Sequence, residues 1–217
     1  MDAVEEHLLK NYGPLLFTPA YSVPDERVGY LTRYAPGVRE NGGVYTHAAT
    51  WAIQAACMVG RAKTAWEIFS CLAPIKRGQD PEHYAVEPYV TPGNVEGPES
   101  PNFGRGGWSW YTGSAAWLRR VCVEWIIGVR PDWEGLIVKP CLPAHWKEAT
   151  LTRAFRGDTF EITLRNPNGE SGCAVNQLEV DGEPHPVNEP IPASGANKRR
   201  EVVAILGKKV EEPVPAK

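Results

Sequence analysis

Apolar positions in the first half of the chain recur at helical spacing. Val4, Leu8 and Leu9 share one face of a short predicted helix over residues 2–12, closed by Gly13-Pro14. The pattern returns over 46–59 with Trp51, Ile53, Ala55, Ala56 and Met58, and Gly60 supplies a stop. A second helix over 63–72 makes an αα-hairpin across Gly60-Arg61-Ala62. The stretch 112–127 is the most apolar, interrupted by Arg119, Arg120 and Glu124, so burial on most sides is expected. Residues 13–43 and 74–111, rich in Pro and Gly, read as long loops. Loops beyond about 15 residues in a compact protein are usually functional or disordered, and the aromatic content of 13–43 favours function.

The period changes after Pro131. Residues 135–140, 149–155, 159–165, 177–182 and 201–206 are short β-rich runs, and Arg156-Gly157-Asp158 joins two of them as a hairpin. Helices followed by strands predict an α-then-β organisation: a helical region over 1–130 and a β domain over 131–207. The charged tail over 208–217 is expected to fray.

Composition narrows the function classes. The 217 residues are 42% hydrophobic and 23% charged with net charge −3, as in a globular protein. No basic stripe suggests a nucleic-acid partner. No run approaches 18 apolar residues and the N-terminus lacks a signal-peptide core, so no membrane association and a cytoplasmic location are expected. Five cysteines, an odd count without metal-ligand spacing, predict neither a disulfide framework nor a metal site. The eight Trp favour a core role over sugar-stacking platforms.

Two glycine loops carry the candidate chemistry. Glu40-Asn41-Gly42-Gly43-Val44-Tyr45-Thr46-His47 and Gly104-Arg105-Gly106-Gly107, followed by Trp108 to Ser114, each open into a helical stretch. Free backbone N–H groups at two helix starts, with His47 on one and Thr112-Gly113 on the other, suit a small oxyanion such as phosphate. The plainer alternative is that His47 is solvated and that Thr112 and Ser114 are ordinary capping residues. Glu40 and Glu87, in the loops, are candidate acceptors for sugar hydroxyls or acid/base groups, against simple solvation or pairing with Arg.

The segments ENGGVYTHAATWAI (40–53), VEPYV (86–90), GRGGWSWYTGSAAWL (104–118), GVRPDWEGLIVKPCLP (128–143) and FRGDTFEI (155–162) together resemble the C-terminal part of glycoside hydrolase family 94. These are inverting phosphorylases of β-linked disaccharides, once classed as glycosyltransferases. The resemblance implies the last helices of an (α/α)₆ barrel followed by a small, sandwich-like C-terminal β domain. It implies inorganic phosphate as co-substrate with no other cofactor, and carbohydrate as the partner. His47, Thr112 and Gly113 match the family's phosphate-binding positions, while Tyr34 and Arg39 fall where it builds its acceptor site. A homodimer is implied for the full-length enzyme. Two departures stand out. The family's general-acid Asp, in an Asp-Trp-Asn type motif, has no match here and is expected upstream. A phosphate-contacting Gln of several members is replaced by Gly93. The expected function is thus the C-terminal portion of an inverting phosphorylase, holding half a phosphate site. The alternatives are a non-catalytic carbohydrate-binding or structural module, or a catalyst using Glu40 or Glu87 as acid.

Overall fold

The computed structural model describes residues 1–110, 112–172 and 174–207; the tail over 208–217 and Cys173 lie outside the described residues. The chain forms two compact units, one of Met1–Val59 with Thr64–Cys122, the other of Gly60–Lys63 with residues from Val123 onward. It is a mixed helix-and-sheet protein with several small sheets.

The first unit opens with a helical turn over Val4–Leu8, shorter than the predicted 2–12 helix. At Leu9 the backbone becomes extended, and β1 (Leu9–Lys10) folds back antiparallel on β2 (Gly13–Pro14). Leu15 N–H then bonds Leu8 C=O, and Leu15 is buried, so a single turn and a hairpin satisfy the apolar pattern read as a longer helix. The loop that follows is ordered by the buried amide of Asn41. Its Nδ2 donates to the carbonyls of Tyr21 (2.9 Å) and Tyr34 (2.7 Å), and its Oδ1 accepts from Tyr21 N–H at 2.8 Å.

β3 (Val44–Tyr45) leads straight into α1 (Thr46–Met58), and α2 (Ala62–Leu72) comes next. The stretch read as a plain loop over 74–111 contains two single turns, α3 (Pro74–Arg77) and α4 (Pro81–Tyr84), and two short strands, β4 (Asn94–Val95) and β5 (Gly106–Gly107). Asp80 caps α4 by accepting from His83 N–H at 3.2 Å. α5 (Ser114–Val121) continues as a π-type turn over Cys122–Ile126. The helix that packs along α1 is α5, so the predicted αα-hairpin of neighbours in sequence is not the packing unit. Nor is α5 buried on most sides: Ser114, Leu118 and Val121 face inward while Ala115, Ala116, Arg119 and Arg120 are exposed. The core is built on Val44, Ile53, Ala56, Ala65, Ile68, Tyr84 and Val121. Burial pushes the Tyr84 hydroxyl up to about 12.

The second unit is β-rich. β6 (Val129–Pro131) and β7 (Leu136–Val138) form an antiparallel ribbon. β8 (Glu148–Phe155) and β9 (Asp158–Arg165) form the predicted hairpin, whose turn residues Arg156 (φ 47°) and Gly157 (φ 89°) are both left-handed, the two-residue turn that matches strand twist. β10 (Ala174–Val180), β11 (Glu183–Pro184) and β12 (Arg199–Gly207) complete a sheet of order β11-β10-β12-β9-β8, with β12 parallel to β9. Alternation sends Phe160, Ile162, Leu164, Val202, Ala204 and Leu206 to one buried face.

None of the eight Trp is buried, which corrects the core expectation. Trp108 and Trp110 are 45% and 77% exposed.

Candidate functional site

β4 joins the two glycine loops, because it is the central strand of a three-stranded sheet with β3 and β5 at its edges. Val44 pairs with Val95 and Tyr45 with Asn94, while Asn94 also pairs with Gly107 and Val95 with Gly106. Two more backbone bonds extend this seam, from Thr46 N–H to Gly93 C=O (3.0 Å) and from Gly93 N–H to Trp108 C=O (2.9 Å). Close approach demands glycine. A Cβ on Gly97 would lie 2.1 Å from Gly42 O, and Gly97 N–H bonds Gly37 C=O at 2.7 Å.

Because α1 starts directly after β3 and α5 starts seven residues after β5, the seam brings both helix starts to one cavity of about 710 Å³. Arg39, Tyr45, His47, Gly93, Trp108, Trp110, Thr112 and Gly113 line it. Four of the residues singled out from sequence, His47, Thr112, Gly113 and Arg39, therefore share this wall. Tyr34, Glu40 and Glu87 do not line it; they stand behind residues that do.

Arg39 is held on all sides. Its guanidinium carbon lies 3.6 Å from the Trp108 ring centroid and 4.6 Å from that of Tyr34, and its Nε is 3.3 Å from Glu40 Oε2. Glu87 accepts from Trp110 Nε1–H at 3.0 Å. Its own backbone N–H holds the carboxyl below the usual range, with burial opposing and the Trp110 and Ser109 side chains adding to the lowering. Both glutamates thus support aromatic or cationic walls and neither faces the cavity as an acid.

Thr112 Oγ1 accepts from Ser114 N–H at 3.0 Å and lies 2.6 Å from Ser114 Oγ, so the hydroxyl stabilises the helix start while also lining the cavity. His47 differs. Its Nε2 is buried with no hydrogen-bond partner, as are Thr46 Oγ1 and Asn94 Oδ1, and the Arg39 Nε–Glu40 Oε2 ion pair also lacks hydrogen-bond geometry. A buried polar atom left unpaired costs roughly 1–3 kcal/mol, so such atoms beside a cavity mark where a polar ligand would be welcome. The wall combines an imidazole, a guanidinium and two helix starts with indole and phenol surfaces. Among the described residues that line it there is no carboxylate. That set suits an oxyanion next to a sugar ring, since helix starts and Arg attract the anion and aromatic faces accept apolar ring surfaces.

Tyr45, Trp108 and Trp110 were not singled out from sequence as lining residues. The available signal was the alternation Gly107-Trp108-Ser109-Trp110, aromatic residues spaced by small ones at the end of a glycine run.

Residues 1–128 match the family described as the glycosyl hydrolase 94 superfamily, catalytic domain. The chain belongs to that superfamily. Its relatives include a solabiose phosphorylase from Paenibacillus borealis, 34% identical over 84% of this chain and 24% of the relative. An N,N'-diacetylchitobiose phosphorylase from Vibrio furnissii is 35% identical over 95% of this chain and 25% of its own length. The cyclic β-(1,2)-glucan synthase NdvB of Rhizobium meliloti (strain 1021) is 42% identical over 81% of this chain, though only 6% of the synthase is covered. The chain thus spans about a quarter of the length of these phosphorylases. No helix among the described residues is long and apolar enough to cross a membrane.

Proposed function

We propose that this chain is the C-terminal portion of an inverting glycoside phosphorylase, in which the cavity holds inorganic phosphate against the anomeric carbon of a β-linked sugar. His47, Thr112 and the Gly113 N–H orient the phosphate, Arg39 adds positive charge, and Trp108 and Trp110 face the saccharide. Residues 1–128 are the last helices of an (α/α)₆ barrel, followed by the β domain. Phosphate is itself the nucleophile, so the reaction needs one acid, to protonate the leaving oxygen on the opposite face of the ring. That acid is supplied by sequence outside these 217 residues. The role of the chain is positioning, which in a displacement of this kind supplies a large share of the barrier reduction.

The observation that carries this reading is His47 Nε2, buried and unpartnered, lining the same cavity as Thr112 and Gly113. The phosphorylases among the relatives support the reaction class, and their range of saccharides leaves the sugar open beyond a β-linked glycoside. The test has two parts. Titration of the chain with inorganic phosphate, followed by Trp fluorescence, should saturate in the parent and fail in His47→Ala. With phosphate and cellobiose, cellobionate or N,N'-diacetylchitobiose, the isolated chain should release no sugar 1-phosphate. Turnover by the chain alone, or phosphate binding untouched in His47→Ala, would overturn the proposal.

A further inference from the structure

We infer that Trp51 and Trp117 are positioning residues that together fix the orientation of the His47 imidazole at the oxyanion site. The inference rests on the phosphate reading of that site.

The argument begins with spacing. Trp51 is four residues after His47 on α1, and Trp117 is four residues after Gly113 at the start of α5. In a helix the Cα–Cβ bond tilts toward the N-terminus, so the side chain at i+4 leans back over residue i. Each indole therefore covers the site residue one turn before it. His47 lies with its ring centroid 5.0 Å from Trp51 at 58° and 5.6 Å from Trp117 at 41°. The two indoles meet edge-on at 6.1 Å and 81°. Trp117 also flanks the other half of the site. Its Cδ1 lies 4.0 Å from where a Cβ on Gly113 would stand, and the Trp117 backbone N–H donates to Gly113 C=O at 3.2 Å. One indole thus touches a residue from each glycine loop.

His47 needs such a holder. Its Nε2 has no hydrogen-bond partner, so that nitrogen is not fixed by a bond within the protein and stays available to a ligand. Two tilted indoles in contact with the imidazole restrict its rotation without using the nitrogen. The Arg120 guanidinium, 5.1 Å from the Trp117 ring, braces that indole in turn. The sequence signature is a Trp four residues after the site residue in both loops, His47-x-x-x-Trp51 and Gly113-x-x-x-Trp117.

Calorimetric titration with inorganic phosphate, together with ¹H–¹³C spectra of the His47 ring, tests this on the full chain. Trp51→Ala and Trp117→Ala should each bind phosphate roughly three- to tenfold more weakly. The His47 ring proton should lose part of its ring-current displacement in each variant, and Trp117→Phe should recover most of the affinity. Trp51 is about half exposed, so its variant tests the idea even if Trp117→Ala melts early. Parent-like affinity in both alanine variants, while His47→Ala abolishes binding, would overturn the inference and leave the phosphate reading standing. Failure of the parent chain to bind phosphate would overturn both. Weakened binding in Trp117→Ala with no recovery in Trp117→Phe and an unmoved His47 resonance would mark a role in folding only, and would also sink the inference.

Discussion

Arg39 illustrates how much a single residue in this cavity depends on shape. Its guanidinium is sandwiched between the Trp108 and Tyr34 rings and paired with Glu40, on a backbone with φ 53°. A lysine keeps the charge and loses the planar group that stacks. Arg39→Lys is therefore expected to weaken phosphate binding about two- to tenfold, from stacking worth roughly 0.5–1.5 kcal/mol. The same fluorescence titration measures it, and unchanged affinity would show that only charge matters at this position. That His47 and the Thr112-Gly113 pair line one cavity was foreshadowed in the sequence, because each follows a glycine-rich loop that opens into a helix. Trp108 and Trp110 were not. An aromatic residue has no property in sequence that separates a core position from a cavity wall, and eight of them pulled the expectation toward the core. The roles of Glu40 and Glu87, bracing Arg39 and Trp110, needed coordinates because each depends on a partner brought close by the fold.

Elements with a clear period were legible: α1, α2 and the β8–β9 hairpin appear within a residue or two of where apolar spacing puts them. The sheet that assembles the site was not. β3, β4 and β5 have two residues each, too few to show alternation, and they pair because glycine permits close backbone contact. The parallel pairing of β12 with β9 was equally hidden, since it joins segments some forty residues apart in sequence. In the second unit one carboxylate does much to fix the loop before β12. Asp158, 1% exposed, accepts from Ser194 N–H (2.6 Å), Ser194 Oγ–H (2.9 Å) and Lys198 N–H (3.1 Å). Burial alone would raise its pKa, but these donors outweigh burial and hold it below the usual aspartate value, which is about 3.9. A carboxyl depressed in the folded state stabilises the fold above the unfolded-state pKa, and that contribution is lost as pH falls through the folded-state value. Melting followed by circular dichroism from about pH 6 down to about pH 2 should show a fall in the parent below about pH 4. Asp158→Asn should melt lower at the upper end of that range and show a shallower fall. Parallel curves for parent and variant would remove Asp158 from the explanation.

At the scale of the whole chain, the informative feature is that α1 is apolar on two faces. Ala49, Ile53 and Ala56 pack inward, while Trp51 and Met58, seven residues apart on another face, are 51% and 66% exposed, with Val59 at 61% beside them. A helix that is hydrophobic nearly all round is normally covered on more than one side. Exposed apolar surface of this kind on a protein of ordinary composition marks a surface that meets other protein. In the proposed barrel, neighbouring helices would supply that cover. The physical consequence can be measured on the chain by itself. It should bind an apolar dye such as anilinonaphthalene sulfonate while retaining a cooperative melt, which separates exposed native surface from a loosely packed state. Met58→Glu places a charge on that face at the C-terminal end of α1, seven residues from Trp51, and Met58 is not among the residues lining the cavity. Dye fluorescence should drop several-fold, in keeping with the loss of a contiguous apolar patch, while phosphate affinity stays at the parent value. If dye binding persists unchanged in Met58→Glu, the exposed face of α1 is not the surface that the proposed barrel would cover.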